Sequence, residues 1–137
     1  GTMSREITRV RDVMKTNFDM VDGLSTVAEA LKTMIHVETK TLIVRKRHDD
    51  DEFGVVTLAD IGRKVLARDK ALDRVNIYEI MTKPAIHVDP EMDIRYAARL
   101  FSTFDLTRAP VVRNGEVVGI VSLTDMVIKG LLRELEP

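Results

Sequence analysis

The stretch Gly54-Val-Val-Thr-Leu-Ala-Asp60-Ile61 decides the fold, because it returns almost unchanged as Gly119-Ile-Val-Ser-Leu-Thr-Asp125-Met126. Each copy begins with glycine and β-branched residues, which are typical of a buried strand. Each then places a hydroxyl three residues before an acid, and an apolar helical pattern follows. The sequence therefore predicts, twice, a strand that turns directly into a helix.

The hydroxyl and the acid of each copy, Thr57 with Asp60 and Ser122 with Asp125, have two interpretations. Such residues cap the N-terminus of a helix. They can also build a ligand site, because the free N–H groups of a first helical turn favour a phosphate and a nearby carboxylate can accept hydrogen bonds from a sugar diol. The residues alone leave both interpretations open, and the duplication gives weight to the second.

Composition limits the class of protein. The chain has 137 residues, a net charge of −1 and no cysteine. This length fits one compact unit or two small halves, and the scattered basic residues argue against a nucleic-acid surface. No apolar run reaches membrane-spanning length and no signal-peptide pattern is present, so we expect no membrane partner and a cytoplasmic location. We interpret Gly1-Thr2-Met3 as a cloning remnant.

The remaining sequence repeats in one order: short helix, strand, helix, strand, hairpin, strand, helix. Met14 and Met81 lie 67 residues apart, as do Val21 and Val88. Ser25 is the predicted N-cap of the first long helix, and Asn114-Gly115 predicts a type I′ turn. The last helix should end near Glu136, and a polar linker at 69–74 marks the midpoint. Internal repetition predicts that each copy covers an open face of the other.

Two such units in tandem resemble a cystathionine-β-synthase (CBS) domain pair, or Bateman module. The motifs that carry the resemblance are Met81-Thr82, the weaker Met14-Lys15-Thr16, Ala109-Pro110-Val111-Val112 and the two Gly-x-Val-[Thr/Ser]-x-x-Asp segments. It implies an α/β (α+β) fold of two pseudo-twofold-related repeats, 7–70 and 75–136, each a small three-stranded sheet with flanking helices. It also implies two clefts, each able to accept an adenosine nucleotide.

The resemblance assigns residues to both clefts, with the acid from one repeat on the ribose and base-contacting segments from the other repeat. Ala59 replaces the hydroxyl that Thr124 supplies, and Asp19 stands where the partner copy has Ile86, so we expect the clefts to differ in affinity. The first cleft would comprise Val55, Thr57, Asp60, Lys83, Pro84, Ile86, Leu106 and Thr107. The second would comprise Thr16, Asn17, Asp19, Glu38, Thr39, Ile120, Ser122, Thr124 and Asp125.

The function implied is that of a regulatory module that senses AMP, ADP, ATP or S-adenosylmethionine, without a required cofactor or catalysis of its own. An effector protein and a second copy are the implied partners. The sequence supports a homodimer through apolar faces around Phe101, Phe104, Met126 and Leu132. The alternative is a structural dimerisation module with vestigial clefts. No Gly-rich phosphate loop or catalytic arrangement is present, so we predict no enzyme.

Two acidic groups have further interpretations. His87, Asp89, Glu91 and Asp93 could bind a metal, but acids at a helix start are also favoured by the helix dipole, and we predict no metal site. The run Asp49-Asp-Asp-Glu52 could attract a divalent ion or a basic partner, and we predict a solvated hairpin loop.

Overall fold

The computed structural model describes residues 6–135. The predicted helix end at Glu136 and the expected cloning remnant Gly1–Met3 lie outside this range. Among the described residues, no helix is long and apolar enough to cross a bilayer. The α-helices and strands are α1 (Val10–Val13), β1 (Asp19–Val21), α2 (Val27–Thr33), β2 (Thr41–Val44), β3 (Gly54–Thr57), α3 (Leu58–Ile61), α4 (Ile77–Ile80), α5 (Ile94–Phe104), β4 (Arg108–Arg113), β5 (Glu116–Ser122), α6 (Leu123–Asp125) and α7 (Leu132–Leu135). A 3-10 helix, Val37–Thr39, precedes β2, and π-helical segments continue α3 over Gly62–Leu66 and α6 over Met126–Leu131.

The chain forms two compact units that differ from the sequence repeats in one respect. Residues 17–85 form a continuous unit, and, of the residues that the structure describes, 6–16 together with 86–135 form a discontinuous unit. The short helix that opens each repeat therefore belongs to the unit built by the other repeat. Apolar residues explain this exchange, since Val10 and Val13 of α1 pack in the core of the discontinuous unit, and Ile77 and Ile80 of α4 in that of the continuous unit.

The sheet of the continuous unit has the order β1-β2-β3. Strand β1 runs parallel to β2, with Met20 opposite Ile43, and β2 runs antiparallel to β3, with Leu42 opposite Val56. Leu42, Ile43 and Val56 are fully buried. The predicted strand at 41–44 is confirmed, and the unbroken apolar run of β2 reflects burial along its whole length.

The discontinuous unit has a two-stranded sheet, in which β4 and β5 pair antiparallel. The predicted strand Ile86–Val88 is reduced to one parallel bridge between Val88 and Val111. The expected three-stranded sheet is therefore complete in the continuous unit. In the discontinuous unit, the third strand is represented by the single bridge at Val88. Asn114 and Gly115 join β4 to β5 with φ angles of 52° and 78°, which is the backbone of the predicted type I′ turn.

Two expectations about single residues are corrected. Thr26, not Ser25, caps α2, because its hydroxyl accepts a hydrogen bond from the backbone N–H of Glu29 at 3.1 Å. Phe101 and Met126 do not form an exposed apolar face, since both lie in the core of the discontinuous unit. Phe104 and Leu132, which we placed on the same face, are more than half exposed.

Candidate functional site

The Asp60 junction, residues 57–61, lies where β3 turns into α3 in the continuous unit. Thr57 is the N-cap, and its hydroxyl accepts a hydrogen bond from the N–H of Asp60 at 3.0 Å. The Asp60 carboxylate accepts in return from the N–H of Thr57 at 2.9 Å through Oδ2. This reciprocal pair is a capping box, so the capping role is established here. A carboxylate has capacity for further donors, so capping leaves a binding role possible.

The Asp125 junction, residues 122–126, is the equivalent point of the discontinuous unit, where β5 turns into α6. The Ser122 hydroxyl accepts a hydrogen bond from the N–H of Asp125 at 3.0 Å. The Asp125 carboxylate, however, accepts a hydrogen bond from Nζ of Lys15, and Nζ of Lys129 lies 3.9 Å from the same oxygen. The two junctions therefore share a cap and differ in charge around the acid.

The surroundings of Asp125 change its acidity. Burial by itself raises the pKa of this carboxyl, but the hydrogen bond from Lys15, the charges of Lys15 and Lys129 and the bond to Ser122 together hold the pKa below its ordinary value. The side chain of Asp125 is 12% exposed and that of Lys15 is 27% exposed. A partly buried anion is thus kept ionised by a partner 110 positions away in the chain.

Lys15 was not predicted as a site residue. It reaches Asp125 because its backbone pairs with β5: the Lys15 N–H donates to the Ile120 carbonyl at 2.8 Å, and the Ile120 N–H donates back at 2.9 Å. The equivalent pairing in the continuous unit joins Val55 and Thr82. The repeat alignment carried the signal, since Lys15 stands 67 positions before Thr82 and replaces its hydroxyl with a cation.

A glycine makes each of these pairings possible. A Cβ at Gly119 would lie 2.7 Å from the carbonyl oxygen of Lys15 and 2.8 Å from Sδ of Met14. A Cβ at Gly54 would lie 2.8 Å from Sδ of Met81. The glycine at the start of each duplicated segment therefore admits the methionine that follows the short helix. This contact explains why glycine and methionine recur together in both copies.

Asp51 is a second charged residue that the sequence did not single out from its acidic run. Its side chain is 7% exposed, and its carboxylate accepts hydrogen bonds from Nε of Arg47 at 3.1 Å and from Nζ of Lys83 at 2.8 Å. The bonds from Arg47 and then Lys83 hold the pKa of Asp51 far below its ordinary value. The hairpin loop is therefore not uniformly solvated as predicted, because this acid anchors it.

Several residues assigned to the second cleft have structural partners. Both carboxylate oxygens of Asp19 accept backbone hydrogen bonds, from the N–H of Ile35 at 3.0 Å and of His36 at 2.8 Å. Thr39 is buried, and its hydroxyl donates to the carbonyl of His36 at 2.8 Å. Glu38 lies 3.5 Å from the imidazole of His36. Asp19, at the position equivalent to Ile86, thus accepts hydrogen bonds from the chain that follows α2.

The structure distributes the assigned residues over both units. Asp60, Thr57 and Val55 come together where β3 meets α3, and Ile120, Ser122 and Asp125 come together where β5 meets α6. The continuous unit contains Val55, Thr57, Asp60, Lys83 and Pro84 of the first set and Asn17, Asp19, Glu38 and Thr39 of the second. The discontinuous unit contains Ile86, Leu106 and Thr107 of the first set and Thr16, Ile120, Ser122, Thr124 and Asp125 of the second.

The acids considered for a metal are engaged by other groups. Glu91 accepts hydrogen bonds from Arg11 and, at 3.1 Å, from Arg113. Asp89 accepts from the N–H of Glu91 at 2.8 Å, and Asp93 accepts from the N–H of Arg95 at 2.9 Å as the N-cap of α5. Within residues 6–135, no group of three or more potential ligands is arranged to hold a metal ion.

Known proteins share this sequence pattern. The chain is 31% identical over 112 residues to an uncharacterized protein of Methanopyrus kandleri, a match that covers 79% of this chain and 56% of that protein. The chain spans 56 to 64% of the length of three such curated relatives.

Solved structures share the fold. A hexameric CBS-CP12 protein from bloom-forming cyanobacteria matches with a TM-score of 0.87 and 35% identity, over 96% of this chain and 76% of that one. The CBS domain pair of protein MJ0100, in complex with 5′-methylthioadenosine and S-adenosyl-L-methionine, matches with a TM-score of 0.77 and 27% identity, over 96% of this chain and all of that one. The sequence model of the CBS domain family matches residues 10–67 and, a second time, residues 77–130. With two tandem matches that take up most of its length, the chain belongs to the CBS domain family as a tandem pair.

Proposed function

We propose that the chain is a regulatory module that binds an adenosine-containing ligand at its two junctions and has no catalysis of its own. The observation that carries the proposal is the hydroxyl cap that the Asp60 and Asp125 junctions share. Each presents a carboxylate and a hydroxyl at the first turn of a helix, where a ribose and a phosphate can be recognised. The similar CBS pair of MJ0100 is in complex with two adenosine-containing molecules, which supports this ligand class.

AMP, ADP, ATP and S-adenosylmethionine are the ligands proposed within this class. A ligand regulates only if it binds two conformations with different affinity, so the module would act on an effector protein through such a shift. A homodimer in the cytoplasm is the proposed form. No step of this mechanism requires a metal or an additional cofactor.

The test is a binding panel of these nucleotides, with adenosine and 5′-methylthioadenosine, measured by calorimetry and thermal unfolding. A ligand at 100-fold excess over its Kd should add about 2.7 kcal/mol to the free energy of unfolding. Asp60→Asn and Asp125→Asn keep the shape of each side chain, and each should weaken binding at its own junction about tenfold or more. Asp73→Asn removes an exposed acid that belongs to neither junction and is the matched control.

A second function, that of a structural dimerisation module, is favoured by the exposed apolar residues near the C-terminus. Val127, Ile128, Leu132 and Leu135 are each more than half exposed. Two results together would favour this structural function over the sensor proposal. The melting temperature would stay unchanged across the whole nucleotide panel, and sedimentation would show a dimer that Leu132→Glu dissociates. Binding that neither Asp60→Asn nor Asp125→Asn weakens would show that the ligand lies elsewhere.

A further inference from the structure

A cavity of about 930 Å³ lies within the continuous unit, apart from either junction. Val44, the last residue of β2, lines it, and Val44 pairs with Gly54, the first residue of β3. Asp60 follows the opposite end of β3. Because a strand rises about 3.3 Å per residue, the cavity and the start of α3 are separated by roughly 10 Å along the sheet. The cavity is therefore a different site from the Asp60 junction.

Basic side chains surround this cavity. Arg45, Lys46 and Arg47, which follow β2, line it together with Lys83. Among the residues assigned to the first cleft, Lys83 is the one that lines this cavity.

Two acids neutralise part of this charge. Asp51 accepts hydrogen bonds from Arg47 and Lys83, and Asp22 lies 3.9 Å from Arg45. The four lining cations and these two acids together have a formal charge of +2. A phosphate monoester carries a charge of about −1.5 to −2 at pH 7 and has three acceptor oxygens, so it matches this charge.

The rest of the lining is apolar. Leu24 is 80% exposed and Tyr78 is 51% exposed, and Met81 lies beside them in the cavity wall. The volume falls within the range of about 300–1,000 Å³ that is typical of sites for organic ligands, and it greatly exceeds the need of a bare phosphate. An aromatic or apolar group can pack against Tyr78 and the polarizable Met81.

We propose that this cavity binds an organic phosphate monoester whose carbon part is aromatic or apolar. Arg45 and Lys46 contact the phosphate, and Tyr78 and Met81 contact the carbon part. Asp51 acts as a positioning residue, because it holds Lys83 and Arg47 at the cavity. Arg45, which lies 3.9 Å from Asp22, and Lys46, whose Nζ lies 4.8 Å from the centroid of the Phe53 ring, carry the remaining positive charge. Lys83 aside, none of the residues that line this cavity is among those assigned to the nucleotide clefts.

The probe is 1-naphthyl phosphate, compared with inorganic phosphate and with 1-naphthol. Titration followed by backbone-amide NMR should shift the signals of Arg45, Lys46 and Tyr78, with a Kd at least tenfold lower than that of either fragment. The double variant Arg45→Ala/Lys46→Ala should weaken binding at least tenfold, because each residue supplies a charged hydrogen bond. Tyr78→Ala should weaken binding several-fold, and Tyr78→Phe, which keeps the ring, should retain it.

The matched control is Arg63→Ala/Arg68→Ala, which removes the same charge from exposed positions outside the cavity lining. Its affinity for the probe should stay unchanged. Absence of binding, equal affinity for inorganic phosphate, or equal loss in the control would overturn the proposal. So would signal shifts confined to the residues around Asp60. Asp60→Asn should leave the affinity intact, so this proposal and that of nucleotide sensing can fail separately.

Discussion

Replacing Gly119 with alanine should be the most damaging single-methyl change in the duplicated segments. The new Cβ would lie 2.7 Å from the Lys15 carbonyl oxygen and 2.8 Å from Sδ of Met14, against an optimum of about 3.5–4.0 Å for carbon contacts. Overpacking of this kind costs about 1–3 kcal/mol. Displacing Lys15 also weakens its two backbone hydrogen bonds with Ile120, each contributing about 0.5–1.5 kcal/mol. We expect Gly119→Ala to lower the free energy of unfolding by about 2–4 kcal/mol.

The equivalent change at Gly54 should cost less, about 1 kcal/mol, because its nearest obstacle can move. The Cβ would lie 2.8 Å from Sδ of Met81 and 3.2 Å from Cβ of Val44. A methionine side chain has several rotatable bonds and can move aside, whereas a carbonyl in a backbone pairing cannot. Gly62→Ala is the control, since nothing lies within 4 Å of its Cβ, and it should stabilise the protein by about 0.5–1 kcal/mol.

Urea unfolding followed by far-UV circular dichroism measures these differences, with the slope m checked for constancy. Adding Met81→Ala should remove most of the cost of Gly54→Ala, a coupling of about 1 kcal/mol. Adding Met14→Ala should leave most of the cost of Gly119→Ala, because the carbonyl of Lys15 remains. A cost of Gly119→Ala no greater than that of Gly54→Ala, or full restoration of stability by Met14→Ala, would contradict a clash with the Lys15 carbonyl.

Three further predictions concern charge and turn geometry. Lys15→Ala should destabilise the protein by about 1–2 kcal/mol at pH 7. The pKa of Asp125 in the folded protein lies below its ordinary value of 3.8, so the stabilisation exists above that pH and fades as the pH falls. The free energies of unfolding of the wild type and of Lys15→Ala, plotted against pH, should therefore converge in acid. Parallel plots would contradict this. The free energy of unfolding of Asp51→Asn should likewise differ most from that of the wild type near neutrality, because the pKa of Asp51 is also lowered. An NMR titration in which this carboxyl shows an ordinary pKa would be inconsistent with its role as the anchor of the loop. Gly115→Ala should cost about 1 kcal/mol in thermal unfolding because its φ is +78°, whereas Gly115→Asn should cost less; equal costs would rule out a left-handed turn.

Local chemistry made much of the fold predictable. The strand at Thr41–Val44, the turn at Asn114-Gly115 and the capping by Thr57 and Ser122 all depend on neighbours within a few residues. The N-cap of α2 was misplaced by one residue because Ser25 and Thr26 are both good caps, and their order in space depends on where the chain enters the helix. Boundaries of this kind are decided by packing.

The charged pairs of the candidate site could not be predicted from neighbouring residues in the sequence. Lys15 and Asp125 meet across 110 positions, and a lysine in a short polar stretch gives no indication of its partner. Asp51 stands among three other acids, and only the path of the hairpin loop turns it toward Lys83. Phe101 was placed on an interface because an apolar helix face has the same pattern whether it meets the core or a second protein.

The exchange of short helices affects the order in which the protein can assemble. The continuous unit is an insertion within the other unit, so it can fold as soon as residue 85 leaves the ribosome. Helix α1 must wait for residues 86–137 to be synthesised before it finds its core, and closing a loop of that size costs about 4 kcal/mol of chain entropy beforehand. A gene split at the polar linker 69–74 would thus yield two pieces, each missing the helix that completes it.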